Sequence, residues 1–352
     1  MRAVRLKVLC CSVLMAGMLS GCATSVGHLA IHNDPSFMLQ PSRERSLVSG
    51  ETPLAIQYLG VGGYLFQYGD DSIMTAPSFS NPGLMNVSLP LPIEADQGLI
   101  DKLLPPQAKE AEFILVGHAH YDHLLDVPYI MQKHMPETKA VGSTTMVNIV
   151  TAVIDESRLV DITDFAAEGQ KSGKWIYNRN NSIRFMPIKS DHAPHFMGIK
   201  VMSGQYDSPL SALPSTAYGW KEGQTYAYVI DFLDRQQQPV YRIHYQDAAS
   251  NSPDGLMPTM ADTKAVDMAI LCVAAFHQVD DYPEAILQQT TPSMIVMGHW
   301  EDFFDNNSFD NPPPLQGVRM TNIDDFIQRV EAVKADGATP LLPAPFSWIP
   351  AF

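Results

Sequence analysis

ILVGHAHYDHLLDVP, residues 114–128, is the stretch on which the reading of this chain turns. It starts as a short apolar run suited to a buried strand. His118, His120, Asp122 and His123 then follow within six positions. A divalent first-row ion wants three to five ligands converging on a point, and imidazole with carboxylate suits zinc or a chemical neighbour of zinc. In extended backbone, residues two apart point to the same side, so His118 and His120 are placed to grip one ion together. Asp122 and His123 come where the chain turns into a helix at residues 124–134, a place from which they can face a second ion. A polar surface turn would need this order of ligand types by accident.

The order resembles the H-x-H-x-D-H signature of the metallo-β-lactamase superfamily, and the resemblance runs from about residue 52 to the C-terminus. It implies an α/β fold, a four-layer αββα sandwich, as a single hydrolase domain over residues 53–352. It also implies more ligands in a set order. A third histidine belongs at the end of a strand such as residues 182–187. His192 fits that place better than His195 because it follows the strand more closely, which leaves His195 to face substrate or solvent. The aspartate that bridges two metals in relatives is matched by Asp247, after the strand at residues 240–245. The last ligand is matched by His299 in Gly298-His299-Trp300-Glu301. By resemblance, then, His118, His120 and His192 hold one divalent ion, Asp122, His123 and His299 hold another, and Asp247 is shared. Zinc is the first expectation for both.

The chemistry implied is hydrolysis in which a hydroxide bridging the metals attacks a phosphodiester or related ester. Asp247 is then catalytic through the metals, Asp122 is a candidate proton shuttle, and His195, His277 and Trp300 are candidate substrate contacts. β-Lactamases with this signature commonly lack the bridging aspartate, so Asp247 argues against antibiotic hydrolysis. The glycine-bearing opening hairpin, Thr75-Ala76-Pro77 and the Gly-His-Trp segment are most similar to the branch that holds N-acylphosphatidylethanolamine phospholipase D and the ascorbate-phosphate lactonases. Two alternatives follow: a lactonase or other carboxylic ester hydrolase of the same fold, and a metal-binding lipoprotein with no turnover. In either hydrolase reading the partner is a small-molecule or lipid ester.

At 352 residues and 45% hydrophobic content the chain has ample material for a packed core. Its net charge of −15 repels a phosphate backbone at long range, so nucleic acid is not an expected partner. Residues 1–21 read as a targeting segment: Arg2, Arg5 and Lys7 precede an apolar stretch too short for an ordinary membrane span. Leu19-Ser20-Gly21-Cys22 looks like the lipobox of bacterial lipoproteins. That resemblance implies a lipid on Cys22, a tether over residues 22–52, and, with Ala23 next, an outer-membrane address facing the periplasm. Of the four cysteines, only Cys272 is left inside the domain, and it reads as a small core residue.

From residue 54 the pattern is that of strands joined by Gly60-Val61-Gly62-Gly63 and Gly69-Asp70-Asp71, an antiparallel meander. The glycines lack the lysine and following helix of a phosphate loop. Relatives end this meander in Asp-Pro, where this chain has Ala76-Pro77. The missing carboxylate braces the metal loop in relatives, and such braces are worth roughly 10–100-fold in affinity or activity. Residues 78–109 are proline-rich and read as an irregular rim, with Phe79, Leu84 and Met85 as candidate substrate walls. His244 lies on the opposite strand parity from Asp247 and reads as packed rather than ligating.

Overall fold

A computed structural model describes residues 26, 29–33, 52–169, 171–304 and 315–350. Cys22 and the targeting segment lie outside the described residues. Among those described, no helix is long and apolar enough to cross a membrane.

Two sheets form the centre. In the seven-stranded sheet, Leu54–Gly60, Gly63–Tyr68 and Asp71–Thr75 are the antiparallel meander expected from the glycine turns. Phe113–Leu115, Lys139–Gly142 and Leu159–Asp161 continue it in parallel, and Trp348–Ile349 closes the other edge. In the eight-stranded sheet, Ile183–Ser190, Thr225–Leu233 and Pro239–Gln246 run antiparallel. Met268–Cys272, Met294–Gly298 and Thr339–Pro343 extend it in parallel. Ile31–His32, within the segment read as a tether, adds a parallel edge strand beside Thr339–Pro343.

The sheets pack face to face because their strands alternate. Phe66, Phe113 and Tyr64 of one sheet meet Phe232, Phe185 and Tyr245 of the other, with ring centroids 6.1, 5.2 and 6.0 Å apart. The opposite faces carry Leu65, Ile114 and Ala140 on one sheet and Leu271, Ile295 and Met297 on the other. They bury against the helices Val127–Lys133 and Thr144–Val150, and Glu284–Thr290 and Ile323–Val333. The order of layers is αββα, as expected, and it places the parallel strands' carboxyl ends together at one rim. Open α/β sheets bind ligands at such ends.

Local chemistry explains where the elements start. Ser143 and Asn322 accept from the amides three residues on and cap the helices that follow them, and Pro128 sits in the first turn of its helix, where its missing N–H is not needed. Residues 78–109 are more ordered than their prolines indicate, with helices Leu84–Ser88 and Gln97–Leu103. The buried carboxylate of Asp126 ties them down by accepting from Phe79 N at 2.6 Å and Ser80 N at 2.9 Å. Phe79 is wholly buried and stacks on Phe346, so it is core and not a substrate wall.

The outer face of the long antiparallel strands carries a buried ion cluster. Arg242 meets Asp231 in a two-pronged contact at 2.7 and 2.8 Å, and both side chains are sealed from solvent. Arg184 reaches the same carboxylate at 2.8 Å, and Asp262 takes the other edge of Arg242 at 2.8 and 2.9 Å. Removing one member of a buried pair strands the other. Asp231→Ala is therefore expected to cost about 3–5 kcal/mol of folding stability, and the partly exposed Asp262→Ala distinctly less, both read from denaturant unfolding.

Candidate metal centre

The strand Phe113–Leu115 delivers its chain into the rim, where residues 116–119 are held from the facing sheet. Tyr228 Oη donates to Val116 O at 2.8 Å, Tyr226 N donates to Gly117 O at 2.8 Å, and Ala119 N donates to Glu222 O at 2.9 Å. These bonds brace the loop, and Ala76 is itself buried in the apolar core. His118 and His120 follow, and a short helix Tyr121–Leu124 turns Asp122 and His123 inward. His192 arrives two residues past Ile183–Ser190. Asp247 directly follows Pro239–Gln246, and His299 directly follows Met294–Gly298.

All seven expected ligands meet there. His118, His120 and His192 place ligand atoms within 4.8 Å of one another, and so do His118, Asp122 and His123. Asp247 lies between the groups, Oδ1 at 3.2 Å from His118 Nδ1 and Oδ2 at 3.4 Å from His123 Nδ1. Asp122 Oδ2 is 3.3 Å from His299 Nε2 and 3.5 Å from His123 Nε2. Gly117 makes room for this: a Cβ there would sit 2.2 Å from Asp247 Oδ1. That glycine, given no role by the sequence, is needed because the Asp247 carboxylate lies against its backbone.

Six atoms of the cluster are buried with no hydrogen-bond partner among the described residues: His118 Nε2, His120 Nε2, both ring nitrogens of His123, Asp247 Oδ2 and His299 Nδ1. Each such atom costs about 1–3 kcal/mol unless something satisfies it. Burial drives His118 and His120 well below the ordinary imidazole range, and His123 and His192 down in the same direction. The rings are therefore neutral with free lone pairs, the form that binds a metal. Converging unsatisfied lone pairs beside two carboxylates fit divalent cations well.

His192 and His195 are separated by their tautomers. His192 Nδ1 contacts Ala193 O at 2.6 Å, so it carries the proton and leaves Nε2 free to ligate. His195 stacks on His192 at 4.7 Å and accepts from Val201 N at its Nδ1. Burial and the neighbouring His192 push its pKa down to about 3, so the neutral ring carries its proton on Nε2, as a donor. For Asp122, burial raises the pKa, but His123 and His299 outweigh it and hold the carboxyl well below the usual range. That suits a ligand better than a proton carrier.

An apolar cavity of about 180 Å³ opens over the cluster. Leu84, Phe196, Met202, Phe303 and Phe304 line it, with His195 and His277 at its wall. Trp300 does not line it. Its indole is fully buried and donates to Pro343 O at 2.7 Å, which makes it a core residue and not a substrate contact. His244 is packed as expected, its Nε2 bonded to Gly255 O at 2.8 Å. Sequence reading missed Tyr58 and Glu301, which flank the centre; the one signal available was a glutamate two residues after the last ligand.

The depressed histidines link stability to pH. Unfolding restores their ordinary value of about 6.5, so below it the unfolded chain binds more protons and stability falls as pH drops. The metal-free protein is expected to show a falling thermal midpoint between about pH 7 and pH 5, and a melt series across that range measures it. A flat profile would contradict the buried, neutral state of these rings.

No protein-family model matches the sequence, and no curated protein matches it. Solved structures do show likeness. One is Igni18, a metallo hydrolase from the hyperthermophilic archaeon Ignicoccus hospitalis, at 13% identity over 85% of this chain and 98% of that one, with a TM-score of 0.48. Another is the metallo-β-lactamase fold protein YhfI of Bacillus subtilis, at 11% identity over 85% and 99%, with a TM-score of 0.46. A third is CmlA, a diiron β-hydroxylase from Streptomyces venezuelae, at 13% identity over 83% and 53%, with a TM-score of 0.49. These figures describe a distant likeness in fold, and the chemistry of the centre rests on its own atoms.

Proposed function

We propose that this protein is a hydrolase with two divalent metal ions, zinc first, acting on a phosphodiester or related ester. The observation that carries the reading is the placement of Asp247, whose two oxygens lie 3.2 and 3.4 Å from His118 and His123, one in each ligand group. A single storage site has no use for a shared carboxylate. When bound, such a pair of ions makes water acidic and offsets charge that builds on an attacked ester oxygen.

The chain's own residues supply the rest. His118, His120 and His192 would hold one ion, Asp122, His123 and His299 the other, with Asp247 between them. His195 presents its Nε2–H at the cavity wall, as a donor to a substrate oxygen. The apolar walls keep bulk water out and receive apolar substituents of the ester. Met197 and Ile199, 75% and 56% exposed, continue that surface outward beside Phe196. A carboxylic ester or lactone is the second reading, favoured by the cation at the cavity: Arg319 is already engaged by Asp302 at 2.8 Å and is not free for a phosphate.

The full-length chain is expected to bind two equivalents of zinc by elemental analysis and to hydrolyse bis(p-nitrophenyl) phosphate, with nitrocefin untouched. Asp247→Ala is expected to lower that turnover by roughly 100-fold or more. Cleavage of an activated lactone alone would select the second reading, and metal without turnover on either ester would sink the hydrolase.

We also propose, from residues 19–22, that the protein is lipid-anchored through Cys22 in the bacterial envelope, at the outer membrane. Cys22→Ala is expected to move the chain from the membrane fraction to the soluble one. An unchanged distribution would remove the anchor.

A further inference from the structure

Two residues beside the centre have backbone conformations that side chains normally avoid: Val61 with φ of 53° and His299 with φ of 52°. Such residues cost of order 1–3 kcal/mol and persist only where neighbours hold them. The same two side chains hold both. Glu301 Oε1 accepts from Val61 N at 2.7 Å. Glu301 also takes the hydroxyl of Tyr58 at 2.6 Å, and that hydroxyl in turn accepts from His299 N at 3.0 Å. The Tyr58 phenol is buried beside this carboxylate, which keeps its proton in place to donate.

Each end of the network touches the same metal position. His299 is one of its ligands. Val61 sets Gly62 against the ring of another, His123, so closely that a Cβ on Gly62 would lie 2.6 Å from His123 Nδ1. Glu301 is only 4% exposed, and among the described residues no lysine or arginine pairs with it. A buried carboxylate without a cation is costly unless a nearby positive charge offsets it.

We propose that Glu301, acting directly on Val61 and through Tyr58 on His299, is a positioning residue for the metal position formed by Asp122, His123 and His299. The inference rests on the two-ion reading. It requires the brace to matter to one ion and not to the other, because His118, His120 and His192 are held by separate bonds.

The test is zinc titration of the full-length chain against a competing chelator, together with the absorption spectrum of the cobalt-loaded protein. Glu301→Gln keeps the shape and removes the charge, and Tyr58→Phe removes only the hydroxyl. In each, the affinity for one ion is expected to fall about 10–100-fold while the other is unchanged, and one component of the cobalt spectrum is expected to shift. The double variant should lose less than the product of the two single losses, since the two share the arm to His299. Wild-type affinity for both ions in the variants overturns the inference and leaves the two-ion reading standing. So does equal weakening of both ions with a lower thermal midpoint of the metal-free chain, the mark of a merely structural contact. If Glu301→Gln does not fold, Tyr58→Phe alone decides. A wild-type chain that takes up one ion only overturns the two-ion reading itself, and this inference with it.

Discussion

Unsatisfied lone pairs, buried where water does not reach them, are the constraint from which the rest of this molecule follows. Five imidazoles and two carboxylates crowd one rim of the sandwich. Among the described residues, six of their atoms have no hydrogen-bond partner. Cations would satisfy those atoms, so binding them would stabilise a fold that otherwise carries their cost. The apolar cavity above the cluster then gains its meaning, since a low-dielectric wall strengthens whatever charge the centre presents to a ligand.

Holding the cluster falls to parts of the chain far from it in sequence. The ligand loop is clamped by Tyr226, Tyr228 and Glu222 from the opposite sheet, and Asp247 is accommodated only because position 117 has no side chain. The two sheets meet through aromatic pairs such as Phe113–Phe185, so the rim geometry is inherited from the packing of the core. Elsewhere the same fold accepts buried charge for purely structural ends, as at Arg242 and Asp231, where every charge has a partner. The contrast between that satisfied cluster and the unsatisfied one marks which of them is built for a ligand.

Much of this was legible in the chain itself. The spacing of His118, His120, Asp122 and His123 identifies the core of the centre because nearby ligands obey local backbone geometry. Glycine turns announced the opening meander, and alternation announced the strands. The resemblance implied His192, Asp247 and His299, and the fold brings all three beside that cluster. It did not separate Trp300 from the cavity wall, because an aromatic residue at a strand end reads the same whether it faces core or substrate. Nor did prolines in residues 78–109 reveal the two short helices that Asp126 anchors.

The sequence by itself determined which residue types are available to bind a metal, and the alternating strands that bring them to one rim, since both depend on chemistry and period along the chain. Only the tertiary structure distinguished the two neighbouring histidines. His192 and His195 differ not in kind but in what their Nδ1 atoms meet, a carbonyl in one case and an amide in the other. It alone also brought Glu301 and Tyr58 to Val61 and His299, partners some 240 positions apart. Hydrogen bonds reach about 3 Å through space and carry no trace in local sequence, so such a brace becomes visible only once the chain has folded.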